Sequence, residues 1–176
     1  MENSVEQPQV DANDHKVQSN RVSITLTVNG KVVNKAVEPR MLLSDFLREE
    51  LDLTGTHLGC EHGVCGACTI IMNNESIRSC LMFAVQADGY DIKTVESLAT
   101  NEGTLNGLQE AFSTHHALQC GFCTPGFLMT LTDYLDKNPS PTREEVREVI
   151  SGNLCRCTGY SNIVDAVMDY TKNRSM

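Results

Sequence analysis

From Val22 the chain alternates strictly, with Val22, Ile24, Leu26 and Val28 separated by Ser23, Thr25 and Thr27. A period of two is that of a half-buried strand. Asn29-Gly30 follows, a dipeptide that accepts the positive φ angles of a tight hairpin turn, so Lys31 to Val37 is expected to return antiparallel. Pro39 ends the hairpin. Leu43, Phe46, Leu47, Glu50 and Leu51 then fall at helical intervals, with Ser44 and Asp45 placed to meet free N–H groups at the start of a short amphipathic helix. Thr69 to Met72 reads as a strand, Asn73-Asn74 as a turn, and Glu75 to Cys80 as the return. Tyr90 to Val95, after the Asp88-Gly89 turn, is the last strand expected.

From about residue 97 the period becomes helical. Leu105, Leu108, Ala111 and Phe112 share one face; Phe127, Leu128, Leu131 and Leu135 a second; Val146, Val149 and Ile150 a third; Ile163, Ala166, Val167 and Tyr170 a fourth. Thr124 with Pro125 at the first helical position, Thr142 with Glu145 as a capping box, and Gly152 as a stop mark helix ends. Residues 1–20 are polar without either period, the pattern of a disordered N-terminal tail. The expected organisation is α+β: a tail over 1–20, a strand-rich domain over 21–97, and an all-α domain of four helices over 98–176, with a linker near Thr94 to Asn101.

Composition narrows the chemistry. The 176 residues are 40% hydrophobic, enough for a packed core. Fourteen basic against 23 acidic residues leave a net charge of −9, which argues against nucleic acid or an anionic membrane surface as partner. No stretch approaches the roughly 18 apolar residues of a membrane span. The N-terminal residues carry no export-signal pattern, so the expected location is the cytoplasm. Eight cysteines remain to be explained. Disulfides persist mainly in oxidising compartments and concentrate in shorter chains. Without an export signal, clustered cysteines point instead to a soft metal or to iron–sulfur clusters.

The cysteines fall into two sets. Cys60, Cys65, Cys68 and Cys80 read C-x4-C-x2-C followed by a distant cysteine, the spacing of plant-type [2Fe–2S] centres. Gly63 and Gly66 fit this, because side chains there would hold backbone N–H donors away from an anionic cluster. Structural zinc favours paired C-x2-C knuckles and gains nothing from the C-x4-C arm. Cys120, Cys123, Cys155 and Cys157 read C-x2-C and, after a gap of thirty-one residues, C-x-C. Alone, this second set leaves zinc and an iron–sulfur cluster both open, although its position at helix ends suits a cluster. Thioredoxin-like chemistry does not fit, since the C-G-F-C follows a helix rather than a strand.

His57 and His62 flank the first set, but four cysteines leave no need for Rieske-type ligation, and a solvated or supporting role is expected. His115 and His116 read as surface residues near a helix end. Met41, Met72, Met82, Met129 and Met168 fall at apolar positions and read as core or interface filler. Arg156, between two cysteines, is placed either to screen cluster charge or to meet a partner. No G-x-G-x-x-G follows a strand, so no flavin site is expected in this chain.

The stretches GCEHGVCGACT (59–69), QCGFCTPG (119–126) and GNLCRCTGY (152–160), in this order, resemble the iron–sulfur subunit of the xanthine dehydrogenase and aldehyde oxidase family of molybdenum hydroxylases. The resemblance runs from about Ser23 to Tyr170. It implies a ferredoxin-like β-grasp domain with a plant-type [2Fe–2S] cluster on Cys60, Cys65, Cys68 and Cys80. It further implies a four-helix domain with a second [2Fe–2S] cluster on Cys120, Cys123, Cys155 and Cys157. Gln119 and Cys157 would contact a molybdenum-bound pyranopterin across a subunit interface. Electrons would pass from that pyranopterin, in a large partner subunit, through both clusters to FAD in a medium one, within a heterotrimer or a dimer of heterotrimers. The chain would then complete an oxidoreductase without holding an active site. A freely diffusible ferredoxin is the alternative, but a simple carrier needs only the first domain.

Overall fold

The computed structural model describes residues 20–99 and 103–174. All but Asn20 of the expected tail lies outside the described residues, as do Thr100 and Asn101 of the expected linker. β1 (Val22–Val28) and β2 (Lys31–Val37) pair antiparallel, and Asn29 and Gly30 take φ of 51° and 76° at the turn. Both central residues are left-handed, which matches a two-residue loop to the twist of its strands. β3 (Thr69–Met72) and β4 (Glu75–Arg78) form a second hairpin over Asn73 and Asn74. β5 (Asp91–Lys93) lies between the hairpins, parallel to β1 and antiparallel to β3, giving the order β2-β1-β5-β3-β4. Ile24, Leu26 and Val28 turn one face of β1 inward onto Val37, Leu43, Phe46, Leu47, Ile70 and Ile92. Burying each such side chain stabilises by about 1.5–3 kcal/mol.

The segment after Pro39 departs from its expected form. α1 (Leu43–Asp45) makes only three residues of α-helix before widening into a π-helical turn, Phe46–Glu50. Neither Ser44 nor Asp45 caps it. The position before the helix is Leu42; the Leu43 N–H donates to Met82 O at 2.8 Å, so a neighbouring segment does the work of a cap. Ser44 lies inside the helix, fully buried, and its hydroxyl has no partner among the described residues. β4 and β5 are also shorter than the alternation predicts. Ser79–Leu81 turns into a 3-10 helix because the Ser79 hydroxyl and N–H both donate to Cys68 O, at 2.8 and 3.3 Å. β5 stops where the Thr94 N–H turns to Asn29 Oδ1 at 2.8 Å.

Helices follow: α2 (Gly107–Thr114), α3 (Thr124–Lys137), α4 (Arg143–Ile150) and α5 (Ser161–Arg174). Leu108, Phe112, Phe127, Leu131, Val146, Ile163 and Val167 converge in their core, as their spacing predicts. Leu105 does not join it; it precedes α2 and is 45% exposed. Thr142 and Glu145 form the expected capping box, and Asn106 with Gln109 forms another on α2. Thr124 is not a cap. It is the first residue of α3, with Cys123 at the capping position and Pro125 second in the helix. Its N–H donates to Gly121 O at 3.1 Å, so the helix starts directly from the cysteine loop, and the Thr124 hydroxyl has no partner among the described residues.

α3 packs across β3, which explains why Thr69, Ile70 and Ile71 are all buried instead of alternating. Gly126 permits the approach: a Cβ there would lie 2.2 Å from Gly66 O. Two turns further along the same face of α3, Asp133 Oδ2 accepts the Ser76 N–H at 2.9 Å while Oδ1 pairs with Lys137 at 2.6 Å. Burial acts to raise the Asp133 carboxyl, but Lys137 and Ser76 outweigh it and hold the group below its usual value. A lowered carboxylate contributes stability above its unfolded value and loses it as pH falls through the folded one. Asp133→Asn is expected to cost about 1 kcal/mol at neutral pH. Thermal melts should show that difference constant down to about pH 5 and shrinking below about pH 4.

Candidate metal centres

The loop 54–68 between α1 and β3 brings Cys60, Cys65 and Cys68 together, and the turn after β4 adds Cys80. Backbone N–H groups of His62 and Cys65 converge on the Cys60 sulfur and hold its thiol down at about 6. The Cys65 N–H donates to Cys60 Sγ at 3.3 Å. Burial, and then a hydrogen bond shared with Cys68, push Cys80 up to about 11, while the Gly63 N–H pulls the other way. The sulfurs thus stand as two pairs, Cys60 with Cys65 and Cys68 with Cys80, the second pair buried and the first partly open.

Gly63 and Gly66 are both left-handed, at φ of 84° and 73°, for different reasons. The Gly63 amide faces Cys80, and a Cβ there would meet Leu81 Cδ1 at 2.6 Å. A Cβ on Gly66 would strike Asn153 Nδ2 and Gly152 O, both at 2.6 Å, so its constraint comes from the helical half.

The second set also forms pairs, each taking one cysteine from either loop. Cys157 Sγ lies 3.5 Å from Cys120 Sγ, both exposed, and Cys123 shares a hydrogen bond with Cys155. Burial foremost, then Cys155, pushes Cys123 up to about 12. Burial also acts to raise Cys155, but it ends below its ordinary value because the Thr158 hydroxyl and N–H donate to it at 3.1 and 3.4 Å. The Cys155 N–H is itself taken by the Tyr160 hydroxyl at 3.0 Å. Among the described residues no three His, Cys, Asp or Glu side chains gather closely enough to hold a single ion. Two thiol pairs facing amide and hydroxyl donors fit a dinuclear, negatively charged group.

Three consecutive residues tie the sites to each other. Gly152 O accepts from Arg78 Nη2 at 2.6 Å, Asn153 Nδ2 donates to Gly66 O at 3.0 Å, and the Leu154 N–H donates to Cys65 O at 2.9 Å. Asn153 is 1% exposed, and its Oδ1 accepts from Thr130 at 3.0 Å. Sequence reasoning missed Asn153, Arg78, Gly126 and Asp133 because their partners lie far away in the chain. No local period or spacing marks them.

Three of the described histidines make other contacts. His57 Nδ1 lies 2.7 Å from Phe122 O and its ring stacks on Phe122 at 4.9 Å, bridging the two cysteine loops. His62 Nδ1 contacts Cys60 O at 2.5 Å. His115 Nε2 meets Asp169 Oδ2 at 3.1 Å on the surface. Gln119 is exposed beside Cys120, and Arg156 is exposed between Cys155 and Cys157. Met129 is fully buried, whereas Met41, Met72, Met82 and Met168 pack at core margins.

A sheet domain and a helical domain, each with four paired thiols, define a two-centre electron-transfer protein. Residues 26–99 match the 2Fe-2S iron-sulfur cluster binding domain family, and residues 94–168 match the [2Fe-2S] binding domain family. The nicotine 6-hydroxylase small subunit of Paenarthrobacter nicotinovorans is 60% identical over 151 residues, covering 86% of this chain and 90% of that one. The caffeine dehydrogenase subunit gamma of Pseudomonas sp. (strain CBB1) is 60% identical over 147 residues, covering 82% and 87%. The crystal structure of quinoline 2-oxidoreductase from Pseudomonas putida 86 superimposes with a TM-score of 0.86 at 54% identity, covering 89% of this chain and 98% of that one. The chain belongs to the family of iron–sulfur small subunits of the molybdenum hydroxylases, the electron-transfer parts of multi-subunit oxidoreductases.

Asn153→Leu should leave the Thr130 hydroxyl buried without its acceptor and take from Gly66 O the donor that crosses from the helical half, leaving it only the Thr69 hydroxyl and N–H. A loss of about 2–3 kcal/mol is expected, read as a lower midpoint in urea unfolding followed by far-UV circular dichroism.

Proposed function

We propose that the chain relays electrons from a molybdenum–pyranopterin centre in a large partner subunit to FAD in a medium one, through two [2Fe–2S] clusters. In this reading Cys60, Cys65, Cys68 and Cys80 hold a plant-type cluster in a β-grasp domain spanning 21–97. Cys120, Cys123, Cys155 and Cys157 hold the other in a four-helix domain spanning 98–176. The observation that carries it is the arrangement of each set as two sulfur pairs faced by backbone donors. When bound, each cluster supplies a site that accepts and releases one electron.

The chain's own residues do the rest. Amides of His62, Val64 and Cys65 favour thiolate at Cys60, and the Thr158 donors favour it at Cys155. Cys68 and Cys80 turn inward, while Cys120 and Cys157 reach the surface. That exposed end, with Gln119 beside it, is where the pyranopterin of the large subunit would meet the chain. Val64 and Leu81, 58% and 62% exposed, flank the first site and offer an apolar rim to the flavin subunit. The assembly is a heterotrimer or a dimer of heterotrimers and works in the cytoplasm, where reducing conditions keep free thiols available for iron.

The purified complex should contain about four irons and four labile sulfides per copy of this chain, with two distinguishable paramagnetic signals on reduction. Zinc at either cysteine set would contradict the reading. Cys65→Ser should remove the first cluster and stop flavin reduction while molybdenum is still reduced by substrate, which rapid-mixing spectroscopy distinguishes. The Cys65 carbonyl that receives Leu154 is unchanged by that substitution. Gln119→Ala should keep the full iron content yet slow reduction of the clusters by substrate at least several-fold. Unaltered single-turnover kinetics would remove Gln119 from the transfer step.

A further inference from the structure

Arg78 ends β4 and reaches into the seam between the two cysteine sites. Its Nη1 donates to Thr69 Oγ1 at 2.5 Å, next to Cys68, and its Nη2 donates to Gly152 O at 2.6 Å, three residues before Cys155. Gly152 is shaped to this contact, since a Cβ there would lie 3.0 Å from Nη2. Consecutive Cα atoms are about 3.8 Å apart, so the anchored backbone lies at most about 4 Å from the Cys68 Cα and about 11 Å from the Cys155 Cα. A rigid planar fork is needed to hold both acceptors at once.

Both acceptors are neutral. Arg143, Arg147 and Arg174 pair with Asp165, Glu144 and Asp136, whereas Arg78 pairs with no carboxylate among the described residues. In a chain of net charge −9, a half-buried arginine between two anionic sites keeps its charge for them. At this range and burial, bulk salt screens such a charge only in part.

Resting on the cysteine assignment above, we propose that Arg78 is a positioning residue that raises the reduction potentials of both clusters together. Reduction of either cluster adds one electron and therefore one negative charge. The guanidinium stabilises that added charge at both sites, so neither cluster can be tuned through this residue without the other.

The test is a potentiometric titration of the intact complex followed by electron paramagnetic resonance, with iron and sulfide measured on the same samples. Arg78→Gln is expected to lower both midpoint potentials in the same direction at unchanged iron content. Arg78→Lys should recover most of that shift but not the thermal stability, because an ammonium keeps the charge without the fork. Unchanged potentials in fully loaded Arg78→Gln would overturn the proposal, as would a shift at one cluster alone. If Arg78→Gln loses iron, Thr69→Val decides: the Arg78 guanidinium then keeps only the Gly152 anchor, and both potentials should move from wild type, that of the Cys68 cluster falling the further. Potentials equal to wild type in that variant would also overturn it. Wild-type complex lacking about four irons would instead sink the cysteine assignment itself.

Discussion

The hydrogen bonds from Asn153 and Leu154 to the loop at Gly66 and Cys65, with that from Arg78 to Gly152 O, hold the two cysteine sites in register. Buried backbone carbonyls need partners: Cys65 O takes the Leu154 N–H, and Gly66 O takes Asn153 Nδ2 in addition to the Thr69 hydroxyl and N–H. The helical half supplies the Asn153 and Leu154 donors from the stretch that leads into Cys155 and Cys157. Each loop is thereby part of the other's support. Gly66 and Gly126 have no side chain for the same reason: backbone from one half meets backbone or side chain from the other at distances that exclude a Cβ.

That mutual support suits electron transfer, which depends steeply on distance and gains from a rigid medium. Several contacts cross the seam: Asp133 to Ser76, Arg78 to Gly152, Asn153 to Gly66 and His57 against Phe122. Electrostatics is layered on top. The sulfurs face amides and hydroxyls aimed at negative charge, so the protein is arranged around anionic groups despite being acidic overall. Apolar side chains left exposed near each site, Val64 and Leu81 at one and Leu118, Phe122 and Leu154 at the other, are what a subunit buried between partners would present.

Much of this was legible in one dimension. The Asn29-Gly30 hairpin, the Asn73-Asn74 turn, the Thr142–Glu145 box and the apolar faces of α3, α4 and α5 follow local rules, and local rules operate within a few residues. Errors came where a distant segment intervened. Ser44 and Asp45 look like caps, yet Met82 O takes the N–H they were expected to meet. Thr124 looks like a cap, yet the Cys120–Cys123 loop starts the helix one residue earlier. Glu75 to Cys80 looks like one strand, yet Ser79 turns back to Cys68 O.

The sequence by itself determined the two cysteine sets, their spacing and the change of period near residue 97, because ligand spacing and amphipathic period are properties of neighbouring residues. Only the tertiary structure decided which sulfurs stand together, why Gly66 and Gly126 carry no side chain, and that Arg78 and Asn153 serve both halves. Those outcomes depend on groups 60 to 90 positions apart meeting in a desolvated seam, where each polar atom must find a partner.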